Sequence, residues 1–161
     1  FIFDPQKNAI GLVHAGWRGS QQGILRSAIE RMTQKSDSSA PATNFSLAKE
    51  TLVSPATDQI LDSCRRTSAE NFKIAFGPSI RSCCYQVGEE FQGYFPKEVQ
   101  KKENGYYLDL VLVNRHQLHQ SGVKDQNIFD CNICTCCDER FFSYRREGEK
   151  AGRMLSLMML T

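Results

Sequence analysis

A chain of 161 residues and 18.3 kDa is long enough to bury the core of one domain and short for two, so a single domain over residues 1–161 is expected. Lysine and arginine number 20 against 18 acidic residues, and a net charge of +2 with scattered cationic pairs supplies no field that argues for nucleic acid or a membrane surface. Seven cysteines, an odd number, with no secretory signal and no long apolar run, favour a reduced, cytoplasmic setting over a disulfide framework.

Residues 1–4, closed by Pro5, read as a strand, and residues 6–8 as the turn into a second strand over 9–13, which makes a hairpin. Counting by two along the second strand places Ile10, Leu12 and His14 on one face, with the imidazole at the strand's end beside core side chains. Gly16 and Gly19 bracket a turn, and Ser20 is the expected cap of a helix over 21–33, where Ile24, Leu25, Ala28, Ile29 and Met32 keep helical spacing. The polar, proline-containing stretch 35–44 has the composition of an exposed loop, and residues 55–71 read as a helix. Residues 72–76 alternate as a strand stopped by Gly77 and Pro78, which puts Ser79 at the sheet's edge. A short helix over 89–95, a strand over 106–108, a helix over 109–120 and strands over 127–130, 140–144 and 153–160 complete an α+β pattern of mixed sheets flanked by helices.

Several residues here are suited to chemistry. A helix opening after the glycine turn offers free amides to an anion, and Arg18 could clamp a phosphate or carboxylate in two-pronged fashion; a solvated arginine is the plainer reading. His14 is either a ligand or a hydrogen-bonded structural imidazole, the commoner fate of such a residue. Cys83 and Cys84 follow the Gly77-Pro78-Ser79-Ile80 turn, and a thiolate beside an imidazole makes a nucleophile, whereas most cysteines are small buried apolar groups. The run from Cys131 to Cys137 contains Cys-x-x-Cys spacing, but one such turn is half of a zinc site; Cys83 and Cys84 could supply the other half, and free, partly buried thiols are the favoured expectation. If the strand over 140–144 continues, Arg145 and Arg146 point to opposite faces, and only one can face a given pocket. His116 and His119 are expected near solvent.

Four motifs, His14-Ala15-Gly16-Trp17-Arg18-Gly19, Gly77-Pro78-Ser79-Ile80, Cys83-Cys84-Tyr85-Gln86-Val87-Gly88 and Phe141-Phe142-Ser143-Tyr144-Arg145-Arg146, together resemble the YfiH family of polyphenol oxidase "laccase-domain" proteins. The resemblance implies a YfiH-like fold of the type grouped with cytotoxic necrotizing factor and cysteine hydrolases. It also implies a zinc-dependent purine nucleoside phosphorylase that deaminates adenosine, with a purine nucleoside and phosphate as small-molecule partners. His14 matches one of the family's three zinc ligands. The other two lie upstream of the segment matching residues 1–5, so the chain, which starts at Phe1, reads as the larger C-terminal part of a longer protein. Against the family pattern, residues 36–54 read as a loop elaboration.

For phosphorolysis the resemblance favours Arg18, Gly19, Ser79 and Arg145 around phosphate and substrate. Three other readings stay open at this level: a copper-dependent, laccase-like polyphenol oxidase, against which stands the lack of any His-x-His pair; a cysteine hydrolase using Cys83 or the family's upstream cysteine; and an interaction domain without catalysis.

Overall fold

The computed structural model describes residues 1–34 and 68–161. The expected loop over 36–54 and most of the expected helix over 55–71 lie outside the described residues; the end of the latter, Ala69–Asn71, is a single 3-10 turn.

Two sheets form. In the first, β1 (Ile2–Asp4) and β2 (Ala9–Gly11) make the expected antiparallel hairpin, with Phe3 opposite Ile10. Its turn is organised by the buried Asp4, whose Oδ1 accepts from the amides of Gln6 at 2.9 Å and Lys7 at 3.2 Å. β3 (Lys73–Phe76) pairs antiparallel with β1 and parallel with β7 (Ile128–Asp130), giving the order β2-β1-β3-β7. In the second sheet β6 (Gly105–Leu108) lies between β4 (Gln86–Val87) and β5 (Val99–Lys102), all antiparallel.

The helices do not follow the expected boundaries everywhere. Residues 17–33 form two helices, α1 (Trp17–Gln21) and α2 (Ile24–Thr33), because Gly23 between them takes φ +73, a left-handed conformation open to glycine. Ser20 is not a cap: it is buried inside α1, and its Oγ donates to Asn114 Oδ1 at 3.1 Å on α4 (Leu110–Gln120). Gly19 is not a turn either, since a Cβ there would lie 3.3 Å from Ile24 Cγ2; it is the close-packed joint between α1 and α2. α3 (Phe91–Tyr94) is shorter than expected, and α4 begins as expected, with Asp109 accepting from the Leu112 amide at 2.9 Å. Residues 140–144 are not a strand: Phe141 and Phe142 precede α5 (Tyr144–Glu147), and Phe142 and Tyr144 keep half or more of their surface exposed. Residues 153–160 pair with no strand among the described residues, although their apolar character is strand-like.

Two cores result. The larger packs Leu25 and Ile29 of α2 and Leu118 of α4 on Ile2, Ile74 and Ile128 of the first sheet and on Phe72, just before β3. The smaller joins Phe95, Leu108 and Val113 to Trp17, Tyr85 and Phe91. Because α4 contributes Leu118 to one and Val113 to the other, it ties the two sheets together; burial of each such side chain is worth about 1.5–3 kcal/mol.

Candidate functional site

A cleft of about 750 Å³ opens between the cores, within the usual size range of small-molecule sites. Its walls come from the chain leaving β2, from α1 and α4, from the turn after β3, and from α5. They carry His14, Trp17, Ser79, Tyr85, Asn114 and Arg145.

His14 lies three residues past the end of β2, so the strand is shorter than expected and the imidazole is not held among core side chains. It is exposed to the cleft, no described residue hydrogen-bonds either ring nitrogen, and Gly16 leaves room beside it: a Cβ there would lie 3.3 Å from Nε2. His116 and His119 differ. His116 Nδ1 lies 2.7 Å from Glu98 Oε1, and His119 Nε2 lies 3.1 Å from Asp125 Oδ1, both partly open to solvent.

Tyr85 is the focus of positive charge. Arg145 stacks over its ring, with Cζ 5.7 Å from the centroid, and is oriented by donation to the Gln86 carbonyl at 3.0 Å. Burial pushes the Tyr85 hydroxyl above its ordinary range, while the charges of Arg145 and Arg18 pull the other way. Arg18 is exposed, lies over the Trp17 ring at 4.6 Å, and is outside the cleft lining together with Gly19 and Cys83. Of the residues singled out from the sequence, the cleft thus brings together His14, Ser79 and Arg145. Arg146 faces elsewhere and donates to the carbonyls of Thr135 at 2.9 Å and Cys136 at 3.0 Å, bracing the segment after β7.

Two features were given no role in the site by sequence reasoning. Asn114 is buried in the cleft wall, holding α1 through Ser20 and its own helix through Nδ2 to the Leu110 carbonyl at 2.7 Å. Arg81 forms a two-pronged ion pair with Asp130, at 2.8 and 2.7 Å, that clamps the turn after β3 to the end of β7. Burial opposes ionisation of both groups, but their mutual hydrogen bonds and charges outweigh it, leaving Asp130 below and Arg81 above the ordinary values.

Beside this clamp, and against the expectation of separate free thiols, the sulfurs of Cys83, Cys84, Cys134 and Cys137 lie within 4.8 Å of one another. Burial and neighbouring thiols push Cys83 up to about 11; contact with Cys137, and burial after it, pushes Cys84 higher still. At Cys134 burial acts upward, but donation from the amides of Cys137, Arg81 and Cys136 prevails and brings the thiol down to about 6.

Among the described residues, no helix is long and apolar enough to cross a membrane. A sequence profile of the family described as multi-copper polyphenol oxidoreductase laccase matches residues 1–47 and 50–161. Purine nucleoside phosphorylases of Bacteroides thetaiotaomicron and Clostridium acetobutylicum are 30% and 29% identical over 99% and 98% of this chain, and 52% and 56% of their own lengths. A protein named adenosine deaminase RL5, from an unknown prokaryotic organism, is 28% identical over 94% of this chain and 50% of its own length. The crystal structure of YlmD from Geobacillus stearothermophilus is similar with a TM-score of 0.64 at 26% identity, over 90% of this chain and 47% of that one. The chain therefore spans about half the length of the relatives it matches. With a profile match running nearly from end to end and a shared α+β architecture, the chain belongs to the YfiH-like laccase-domain family.

Proposed function

We propose that the protein carrying this chain is a purine nucleoside phosphorylase with a second activity as an adenosine deaminase. The observation that carries the reading is His14: an imidazole without a hydrogen-bond partner among the described residues, exposed in the same cleft as Ser79, Tyr85 and Arg145. The names of the relatives support it.

In phosphorolysis a phosphate oxygen bonds to C1′ of the ribose as the bond from C1′ to the purine nitrogen breaks. The electron pair leaves with the base, which takes up a proton, and the products are ribose 1-phosphate and the free purine. The guanidinium of Arg145, with Arg18 close enough to act on Tyr85, gives the cleft the charge needed to hold a phosphate dianion against the developing positive ribose. The Ser79 hydroxyl is a further hydrogen-bonding group in the wall, and Gly19 serves by packing α1 on α2 rather than by touching phosphate. Trp17, Tyr85 and Phe142 line the cleft with apolar ring surface suited to a purine.

A free imidazole nitrogen is a good zinc ligand, so His14 fits the zinc that the family resemblance implies as one donor of a set, and among the described residues no cysteine, aspartate, glutamate or second histidine lines the cleft to add another. His14 would hold the metal together with ligands from the rest of the protein, and bound zinc supplies the Lewis acidity for exchange of the adenosine 6-amino group for hydroxyl. Copper-oxidase chemistry is less well supported: the described histidines do not gather, since His116 and His119 are engaged with Glu98 and Asp125. Cysteine hydrolysis is less well supported as well, because Cys83 lies outside the cleft lining with its thiol pushed up to about 11.

The test is incubation of the full-length protein with inosine or adenosine and inorganic phosphate, followed by product analysis. Ribose 1-phosphate and free base are expected, with inosine appearing from adenosine; oxidation of a phenol without either product overturns the reading.

A further inference from the structure

We propose that Cys83, Cys84, Cys134 and Cys137 bind a single zinc ion as four thiolates, forming a structural centre separate from the cleft that holds His14. The inference is independent of the enzymatic reading.

Its first support is geometric. Zinc with Zn–S bonds of about 2.3 Å in a tetrahedron requires sulfurs about 3.8 Å apart. Cys83 and Cys84 lie 3.6 and 3.3 Å from Cys137, and all four sulfurs fall within 4.8 Å of one another. That spacing has room for one metal atom among the sulfurs and none for a cluster of several iron and sulfide atoms. Soft, all-sulfur tetrahedral ligation suits zinc.

The second support is the framework. The donors come from two segments 50–54 residues apart in sequence, and the fold binds these segments to each other in register. The parallel pairing of β3 with β7 continues beyond the strands as a bridge between Ser79 and Cys134, with the Ser79 amide donating to the Ile133 carbonyl at 3.2 Å and the Thr135 amide to the Ser79 carbonyl at 3.1 Å. Arg81 clamps the same segments through Asp130 and donates from Nε to the Ile133 carbonyl at 3.3 Å. Cys134 and Cys137 sit in a Cys-x-x-Cys turn closed by the Asp138 amide to the Cys134 carbonyl at 3.0 Å, and amides of Arg81, Cys136 and Cys137 point at the Cys134 sulfur. Such donors orient and stabilise a metal-bound thiolate.

The third support is charge. A tetrathiolate zinc centre carries two net negative charges, and the surrounding cations are fixed to its own loops: Lys102 Nζ donates to the Ser82 carbonyl at 3.0 Å, and Arg146 holds the carbonyls of Thr135 and Cys136. Thr135 and Ser79 also line the cleft, so the metal would fix a cleft wall while staying outside it.

The experiment uses the full-length protein purified with zinc, in three forms: wild type, H14A, and C84S with C134S. Zinc content is measured by mass spectrometry, and cobalt is substituted to read sulfur-to-cobalt charge-transfer absorption near the ultraviolet. Wild type and H14A are expected to retain the tetrathiolate equivalent and its absorption, and the double cysteine variant to lose one equivalent and most of that absorption. Unchanged zinc and cobalt spectra in a folded cysteine variant overturn the proposal. Should that variant fail to fold, alkylation of wild-type thiols mapped by peptide mass decides. Protection of all four cysteines that is lost on chelation supports the site; equal modification before and after chelation, or a disulfide within the cluster, overturns it.

Discussion

Ser79 and Cys134 face each other across a parallel bridge, joined through the Thr135 amide and the Ser79 carbonyl at 3.1 Å. Ser79 and Thr135 open onto the cleft, while the chain continuing from both partners gathers the four cysteines. The same pair of segments therefore builds a cleft wall on one side and a thiol cluster on the other. Disturbing the segment pairing should be felt at both.

The ion pair that reinforces this pairing makes stability depend on pH. The Asp130 carboxyl is held below its ordinary value in the folded protein, so its contribution is fully present above the unfolded pKa of about 3.9 and is lost as pH falls through that value to the folded one. With side chains 11% and 19% exposed, Arg81 and Asp130 are shielded enough that D130N, which strands the guanidinium, is expected to cost about 3 kcal/mol near neutrality. Urea midpoints of wild type and D130N, followed from pH 7 to 2.5, should converge in acid. A constant gap would show that the pair contributes nothing through its charge.

Asn114 is 3% exposed and bridges α1 to α4 in the cleft wall. N114A removes the shorter of the two hydrogen bonds of the buried Ser20 hydroxyl and leaves it only the Ala15 carbonyl at 3.4 Å, at an expected cost of about 1 kcal/mol. The double variant S20A/N114A should lose less than the sum of the two single changes, since each single change already removes the hydrogen bond the two share. Strict additivity in denaturant titrations would refute the coupling.

Hairpin β1–β2, strands β3 and β7, and helix α4 were legible because alternation, turn residues and helical spacing are local signals, although Asp109, read as the first helical residue, is the cap of α4. The misreadings have identifiable causes. Gly23, a single left-handed residue, splits what helical periodicity presents as one helix. β5 was missed because Gln100, Lys101 and Lys102 lack strand-like hydrophobicity, and their place is set by pairing with β6. The aromatic run before Arg145 resembles a strand, yet it leads into α5 with two of its rings exposed. His14, Ser79 and Arg145 stand in motifs that could be singled out locally and they line one cleft, whereas the four-cysteine cluster depends on the alignment of β3 with β7, which no local spacing can display.

Arg145 offers a direct test of anion binding in the cleft. R145A removes the guanidinium above Tyr85 and should raise the KM for phosphate about tenfold or more, the worth of one or two charge-assisted hydrogen bonds, with a smaller effect on the KM for nucleoside. R145K keeps the charge and loses the planar fork, so intermediate behaviour is expected. Equal KM values for phosphate in all three proteins would remove Arg145 from the site.

The decisive measurement is the rate of ribose 1-phosphate formation from inosine and phosphate by full-length wild type and H14A, with the fold of each verified by circular dichroism. An active wild type and a fall of at least about a hundredfold in H14A are predicted, as expected for the loss of an imidazole that holds the reacting site together. Equal rates in the two proteins would contradict the assignment of His14 and the functional account built on it.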